Sequence, residues 1–362
     1  MTMKRTDLVA ALKKVEPAVS SKGVIPIFGC FCFDGKTITT YDDQVALQMP
    51  FEIGIKGGIQ GRLLLPWLDS SKARDISFEQ TGDCVQFKAR NATLDAPTLG
   101  SESFIFTFPK RDDGVKVIGP FDKDAATGFV LAVKRALISM GTDPAHPQMM
   151  GITCGIEGKF VSMYSTNDSS ASMATIDLSK SLKKEFDEVS WMFPPRFASL
   201  LISFHGSDIL SELILGKGWI EAKFVTGLRL FSKEVHETSL ETFKKMFESI
   251  VSESVISSVV GLPKGFSAGV ERALVVLDSE RDKEAQLCVK EGRMTLAATS
   301  TLGKSFDAFV VDESCPACEE TIKVDLIDKA LPEVQGFSVV PRKALVLVGD
   351  DYVFLAVVGA KV

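Results

Sequence analysis

Apolar residues follow two rhythms along this chain, one of helical period and one of period two, and the pair of rhythms recurs. Leu8, Leu12, Val15 and Val19 share one helical face, with Thr6 placed to cap the helix and Lys13 and Lys14 off the stripe. Over 24–33 the pattern turns extended. Asp34-Gly35 then reads as a tight turn and 36–41 as the returning strand. The same succession comes back with Phe129, Val133, Ala136 and Met140, which leave Lys134 and Arg135 off the apolar face, and a hairpin over 150–164 around Glu157-Gly158. It comes back again with Val270, Leu274 and Leu277, Arg272 opposite them, and a hairpin over 285–299 around Glu291-Gly292.

Leu12-Lys13-Lys14-Val15, Val133-Lys134-Arg135-Ala136 and Val270-Glu271-Arg272-Ala273 therefore mark one supersecondary unit used three times, with Lys14, Arg135 and Arg272 in one column. Each third also has a second half. Short helices over 65–73, 195–204 and 324–331 precede strand pairs over 76–89, 210–224 and 336–357, turning at Thr81-Gly82, Lys217-Gly218 and Gly349-Asp350. The expected class is α+β, with three tandem domains over 1–117, 118–240 and 241–362, each made of two helix-plus-antiparallel-strands half units. Polar or turn-rich linkers are expected near 116–122 and 235–241. Strand-rich domains in a row expose sheet edges, and two chains joined head to tail would close six units into a ring. Helices facing one way would line its hole with the basic column, and the sheets would lie outside.

The 362 residues suit two or three domains, and 45% hydrophobic with 24% charged residues is ordinary for a globular protein. A net charge of −6 excludes a surface basic all over, so any nucleic-acid contact must come from a local lining. The helical segments carry a small positive excess, the sign required by a lining that follows phosphates without reading sequence. No segment reaches the roughly 18 consecutive apolar residues of a membrane span, and seven cysteines suit free thiols in a reducing compartment. Cys30 and Cys32 alternate onto one side of a strand, as small buried hydrophobes.

The three-fold layout, the segment Val24-Ile25-Pro26-Ile27-Phe28-Gly29, the Val270-to-Leu277 helix with its hairpin, and Ser165-Thr166-Asn167-Asp168 resemble the bacterial-type DNA polymerase sliding clamp, the beta subunit of the replicative polymerase. The resemblance covers essentially the whole chain. It implies the sliding-clamp fold and a homodimeric ring around duplex DNA, without sequence preference. A clamp loader would open the ring, and short peptides of a DNA polymerase and other replication factors would dock on it. It further implies a non-enzyme without cofactor or metal, in the cytoplasm of a bacterium or of an infected host cell. Carried over, the DNA-facing candidates are Lys14, Arg135 and Arg272, followed by Arg5, Lys13, Lys72, Arg74, Lys134 and Arg196. Any of these bases could instead pair with a nearby acid. Thr166, Asp168, Ala171, Val357 and Gly359 would wall the peptide pocket, with Phe247 and Ile250 contributing from the preceding linker.

Two departures bear on that pocket. Family members usually carry Ala-Thr-Asp-Gly-His-Arg-Leu where this chain has Ser165-Thr166-Asn167-Asp168-Ser169-Ser170-Ala171. They tend to end in Met-Pro-Met-Arg-Leu, where this chain ends Val357-Val358-Gly359-Ala360-Lys361-Val362. The expectation is a ring body kept and a docking surface rewritten, as in a divergent member of bacterial or phage origin.

Cys315-Pro316-Ala317-Cys318 is the one string with the look of enzyme chemistry, but no second such pair and no clustered histidine accompanies it, and a loop explains it. Asp42-Asp43, Asp112-Asp113 and Asp350-Asp351 sit at turns, and Trp67 and Trp219 read as core. Two further readings stay open beside the clamp: a clamp-fold scaffold that no longer loads on DNA, and a thiol enzyme using Cys315 and Cys318.

Overall fold

The computed structural model describes residues 1–20, 25–100, 103–104, 106–109, 114–182, 185–233 and 240–358. β1 (Thr2–Lys4) and α1 (Arg5–Val15) lead into an antiparallel meander of β2 (Cys30–Asp34), β3 (Thr37–Tyr41) and β4 (Val45–Pro50). β5 (Lys56–Gln60) and α2 (Gly61–Ser70) precede a second meander of β6 (Asp75–Thr81), β7 (Cys84–Ala89) and β8 (Ala92–Leu99). After β9 (Lys116–Ile118), α3 (Lys123–Leu137) begins the next third with β10 (Ile152–Gly158), β11 (Phe160–Thr166) and β12 (Ser170–Asp177). β13 (Phe186–Phe193), α4 (Pro195–His205), β14 (Leu210–Gly216), β15 (Trp219–Phe224) and β16 (Arg229–Lys233) complete it. α5 (Leu240–Ile250), α6 (Glu253–Ser257) and β17 (Val260–Gly261) connect to α7 (Phe266–Val276), β18 (Glu284–Lys290), β19 (Arg293–Ser300) and β20 (Gly303–Val310). Last come β21 (Cys318–Lys323), α8 (Val324–Ala330), β22 (Gly336–Val340), β23 (Ala344–Gly349) and β24 (Tyr352–Val357).

The expected repeat is thus present as six helix-then-meander units. In every third, the strand before the second helix returns to pair with the first strand of the first meander: β5 with β2, β13 with β10 and β21 with β18. Residues 1–126 with 199–234 form one compact unit, and 127–198 with 235–362 form the other. The first holds a 12-stranded sheet in which β4 pairs with β16. The second holds an eight-stranded sheet in which β12 pairs with β24, and a four-stranded sheet ending at β20. Helix burial follows the sequence stripes in α1 (Leu8, Leu12, Val15) and α3 (Phe129, Val133, Ala136), whereas at α7 Val270 and Leu277 are buried, Leu274 is only half-buried and Ala273 is in the core instead. No described helix is long and apolar enough to cross a membrane.

Several boundaries differ from the sequence reading. The strand expected over 24–33 starts only at Cys30, because Pro26 lacks an N–H for a ladder and opens a short 3-10 helix over Pro26–Gly29. Both cysteines of that strand are buried, as expected. Thr6 does not cap α1. The helix begins at Arg5, and the Thr6 hydroxyl donates instead to Asp7. β1, which pairs with β6, escaped notice because three residues carry too little periodicity. Of the expected linker over 235–241, residues 235–239 lie outside the described residues, and Leu240 and Glu241 open α5, an amphipathic helix. The turns behaved as their residues require: Gly35, Gly158 and Gly292 all take positive φ, at 96°, 60° and 73°.

Candidate nucleic-acid interface and docking surface

The basic column is built into ion pairs. The Lys14 ammonium lies 3.7 Å from the buried Asp208 carboxylate and 3.5 Å from the Thr226 hydroxyl. Arg135 sits 3.2 Å from Glu333 through Nε, donates from Nη1 to the Asp350 carbonyl at 2.9 Å, and lies over the Tyr352 ring at 5.5 Å. Lys134 reaches the other Glu333 oxygen at 3.2 Å. Arg272 holds Asp307 on β20 at 2.6 Å through Nη2 and bonds it again through Nε. Its guanidinium pKa is raised, chiefly by the hydrogen bond to that carboxylate. Lys13 pairs with Asp69 at 3.0 Å. Arg5 donates at 3.0 Å to the carbonyls of Ala73 and Leu68, closing the C-terminal end of α2 rather than projecting outward. Lys72, Arg74 and Arg196 are exposed, and among the described residues Lys72 and Arg74 have no ion pair. The charges of Lys14 and Arg135 are therefore matched within the fold, while Arg272, Lys13 and Lys134 keep over half of their side-chain surface in solvent.

A hydroxyl recurs beside this column. Thr40 on β3 donates to the carbonyl of Val15 at 2.6 Å, Ser165 on β11 donates to that of Ala136, and Ser300 on β19 donates to that of Val276 at 2.6 Å. Each bond reaches a last-turn carbonyl, where the helix runs out of its own amide donors, and the Ala136 carbonyl also accepts the Ser139 amide at 3.3 Å. It also fixes a frame of reference. Lys14 and Arg135 directly precede the held carbonyl, whereas Arg272 lies a turn earlier and Val275 occupies their place on α7.

The described members of the expected pocket fall in two groups, one at the turn between β11 and β12 and one in the apolar cluster under α5. Asn167 turns the chain between β11 and β12, its Oδ1 accepting the amides of Ser169 and Ser170, each at 2.8 Å. Thr166 donates to the Ser170 carbonyl at 3.1 Å, Asp168 is exposed at the tip, and the Val357 amide donates to the Ser169 carbonyl at 2.9 Å. Ala171 and Phe247 lie in one apolar cluster with Tyr164, Leu240, Ala344, Val346, Val353 and Leu355, and Ile250 packs against it. Gly359 lies outside the described residues. The sequence reading missed most of α5 and its ring contacts, Tyr164 to Phe247 at 5.5 Å and Tyr164 to Phe243 at 6.2 Å. Its signal was available as Leu240, Phe243, Phe247 and Ile250 at i, i+3, i+7 and i+10. Lys244, on its outer side, reaches Glu188 at 3.3 Å and Glu157 at 3.8 Å.

A second strap covers the other unit's sheet. Phe104, Phe106 and Phe108 pack on Phe28, Tyr41, Ala46 and Phe231, and the Arg229 guanidinium stacks 3.8 Å over Phe108 while bonding Glu221 at 2.6 Å.

Burial pushes the Cys315 and Cys318 thiols up, Cys318 to about 11, the reverse of what a nucleophilic or redox thiol requires. Among the described residues no cluster of three His, Cys, Asp or Glu side chains could hold a metal ion.

No protein-family model matches the chain, and no curated protein matches it in sequence. Solved structures are similar to it along its whole length. A DNA polymerase sliding clamp from Pseudomonas aeruginosa covers 100% of this chain and 99% of its own at 15% identity, with a TM-score of 0.80. A DNA polymerase sliding clamp from Bacillus subtilis has the same coverage and identity with a TM-score of 0.82. A DNA polymerase III beta subunit from Thermotoga maritima, again with the same coverage, is 12% identical with a TM-score of 0.80. The chain has the fold of these sliding clamps.

Proposed function

We propose that this protein is a sliding clamp, a non-catalytic processivity factor that encircles duplex DNA and tethers a replicative DNA polymerase. The observation that carries the reading is the full-length likeness to solved sliding clamps together with six helix-then-meander units, one of which ends in β20, a strand at the end of its sheet among the described residues. Three domains per chain, over 1–117, 118–240 and 241–362, and two chains head to tail would make the ring, which a clamp loader would open. The cytoplasm is its expected place of work. Among the bases, Lys13, Lys134, Arg196 and Arg272 are the ones proposed to meet phosphate. Lys14 and Arg135 act chiefly as ties within the fold. The turn over 167–170, Ala171, Val357 and α5 form the proposed docking surface for partner peptides.

The pairing of the basic column with acids also favours a second reading, a clamp-fold scaffold that binds proteins without holding DNA. Retention on DNA separates the two. A clamp loaded on circular duplex stays bound through gel filtration and is lost once the circle is cut, because its hold is topological. A scaffold shows no difference between circle and line, and that result would overturn the clamp reading.

A further inference from the structure

Each compact unit contains one place where the meanders of two half units ladder together, β4 onto β16 in the first and β12 onto β24 in the second. The hydroxyl column aligns the two places residue by residue. Thr40 and Ser165 both reach a last-turn helix carbonyl, so the residues before them, Thr39 and Tyr164, share a position on the opposite face of the sheet. Cross-strand register extends that position into a row of three. The row is Tyr164, Met173 and Val353 in the second unit, and Thr39, Gln48 and Arg229 in the first.

The two rows are covered differently. In the second unit the row belongs to the apolar cluster under α5, and Phe243 and Phe247 lie against Tyr164. In the first unit the strap carrying Phe104, Phe106 and Phe108 leaves a cavity of about 360 Å³, whose wall includes those rings, Phe33 and all three residues of the row. That volume lies within the range of roughly 300–1,000 Å³ that ligand sites occupy.

Hydrogen bonding along the polar row leaves donors over. Gln48 is used in both directions, its Oε1 accepting from Arg229 Nη1 at 2.9 Å and its Nε2 donating to the Thr39 hydroxyl at 3.0 Å. Arg229 Nε is held by the buried Glu221 carboxylate, which also answers the guanidinium charge. The Thr39 hydroxyl proton and Arg229 Nη2 have no acceptor within hydrogen-bond distance among the described residues. Thr39 is only 4% exposed, and a buried donor without an acceptor is costly. A ligand that satisfies this wall needs an apolar body and an acceptor oxygen.

We propose that this cavity binds a phenylalanine-like residue of a partner peptide, its ring among Phe33, Phe104 and Phe106 and a main-chain carbonyl oxygen accepting from Thr39 and Arg229. The choice of ring follows from the second unit, where the fold itself seats phenylalanine over the matching row. A neutral carbonyl suits the site better than a carboxylate, because Glu221 already neutralises Arg229 and Asp34 stands in the cavity wall. The site draws on the first unit alone, whereas the docking surface proposed above draws on the second, and it does not depend on the ring.

Methyl NMR of the full chain labelled at the isoleucine δ1 carbons tests it, because Ile27 also lines the cavity. On titration with N-acetyl-L-phenylalaninamide, the Ile27 methyl is expected to shift saturably, with a Kd in the millimolar range. N-acetyl-L-alaninamide, which lacks the ring, is expected to give no saturable shift. T39Y installs the residue of the matching row and is expected to raise the Kd by about tenfold or more by filling the space. T39V keeps the shape, removes the hydroxyl donor, and is expected to raise the Kd by about three- to tenfold. No Ile27 shift up to the solubility limit, an equal shift from the alaninamide, or an unchanged Kd in T39Y would overturn the site. An unchanged Kd in T39V would overturn the polar row as the contact. 3-Phenylpropionate separates the sources: tighter binding of this acid than of the amide would mean a free aromatic acid and overturn the peptide assignment. Thermal unfolding verifies that each variant is folded. Should T39Y not fold, T39L takes its place with the same expected loss.

Discussion

Arg135 illustrates how a side chain's type can be read from sequence while its task cannot. Its position off an apolar stripe marks it as a base on a helix surface. Its partners Glu333, Asp350 and Tyr352 come from much later in the chain and are fixed only by the pairing of β12 with β24. Both members of the Arg135–Glu333 pair are mostly buried, at 13% and 16% side-chain exposure. Removing the base leaves Glu333 with Lys134 alone and the Asp350 carbonyl without this donor, so R135A is expected to lower unfolding free energy by roughly 1–3 kcal/mol, measured by urea titration. R135A/E333Q should recover part of that loss. The thiols give a second residue-scale expectation. With burial raising Cys318 to about 11, alkylation by iodoacetamide in the native protein should be slow at pH 8 and accelerate only as pH approaches 11, whereas the urea-unfolded chain reacts readily at pH 8. Rapid native labelling at pH 7 would revive the thiol-enzyme reading.

At the scale of elements, helices with a broad apolar stripe and hairpins with a glycine turn were legible, because both signals are local. The short strand β1 and the 3-10 helix at Pro26 were not, since their stability comes from what they pack against. The hydroxyl column of Thr40, Ser165 and Ser300 was equally hidden. A lone Thr or Ser in a strand gives no hint that it will hold a helix carbonyl on the far side of a turn. T40V keeps the shape and removes the donor, leaving the buried Val15 carbonyl short of a partner, and is expected to cost about 1–3 kcal/mol. Phe247 anchors α5 and is only 3% exposed. F247A should cost roughly 3–5 kcal/mol in a whole-chain melt if the helix unfolds with the body. If α5 instead detaches locally, amide exchange over 240–250 rises while the melt holds, and the docking surface loses one wall.

For the whole molecule, the period of the repeat could be read from the sequence and its closure could not. A column of bases pointed to DNA, yet the fold answers Lys14 with Asp208, Arg135 with Glu333 and Arg272 with Asp307. β20, at the end of its sheet among the described residues, carries no sequence mark of being an edge, because an edge strand and a central strand share the same alternation. What the account claims most centrally is that two copies join head to tail into a ring. The direct measurement is the mass of the purified chain in solution together with particle images of the same sample. The account predicts twice the 39.3 kDa of one chain and a closed ring with a central opening wide enough for duplex DNA. A single-chain mass at all concentrations, or a two-chain particle without an opening, would contradict it.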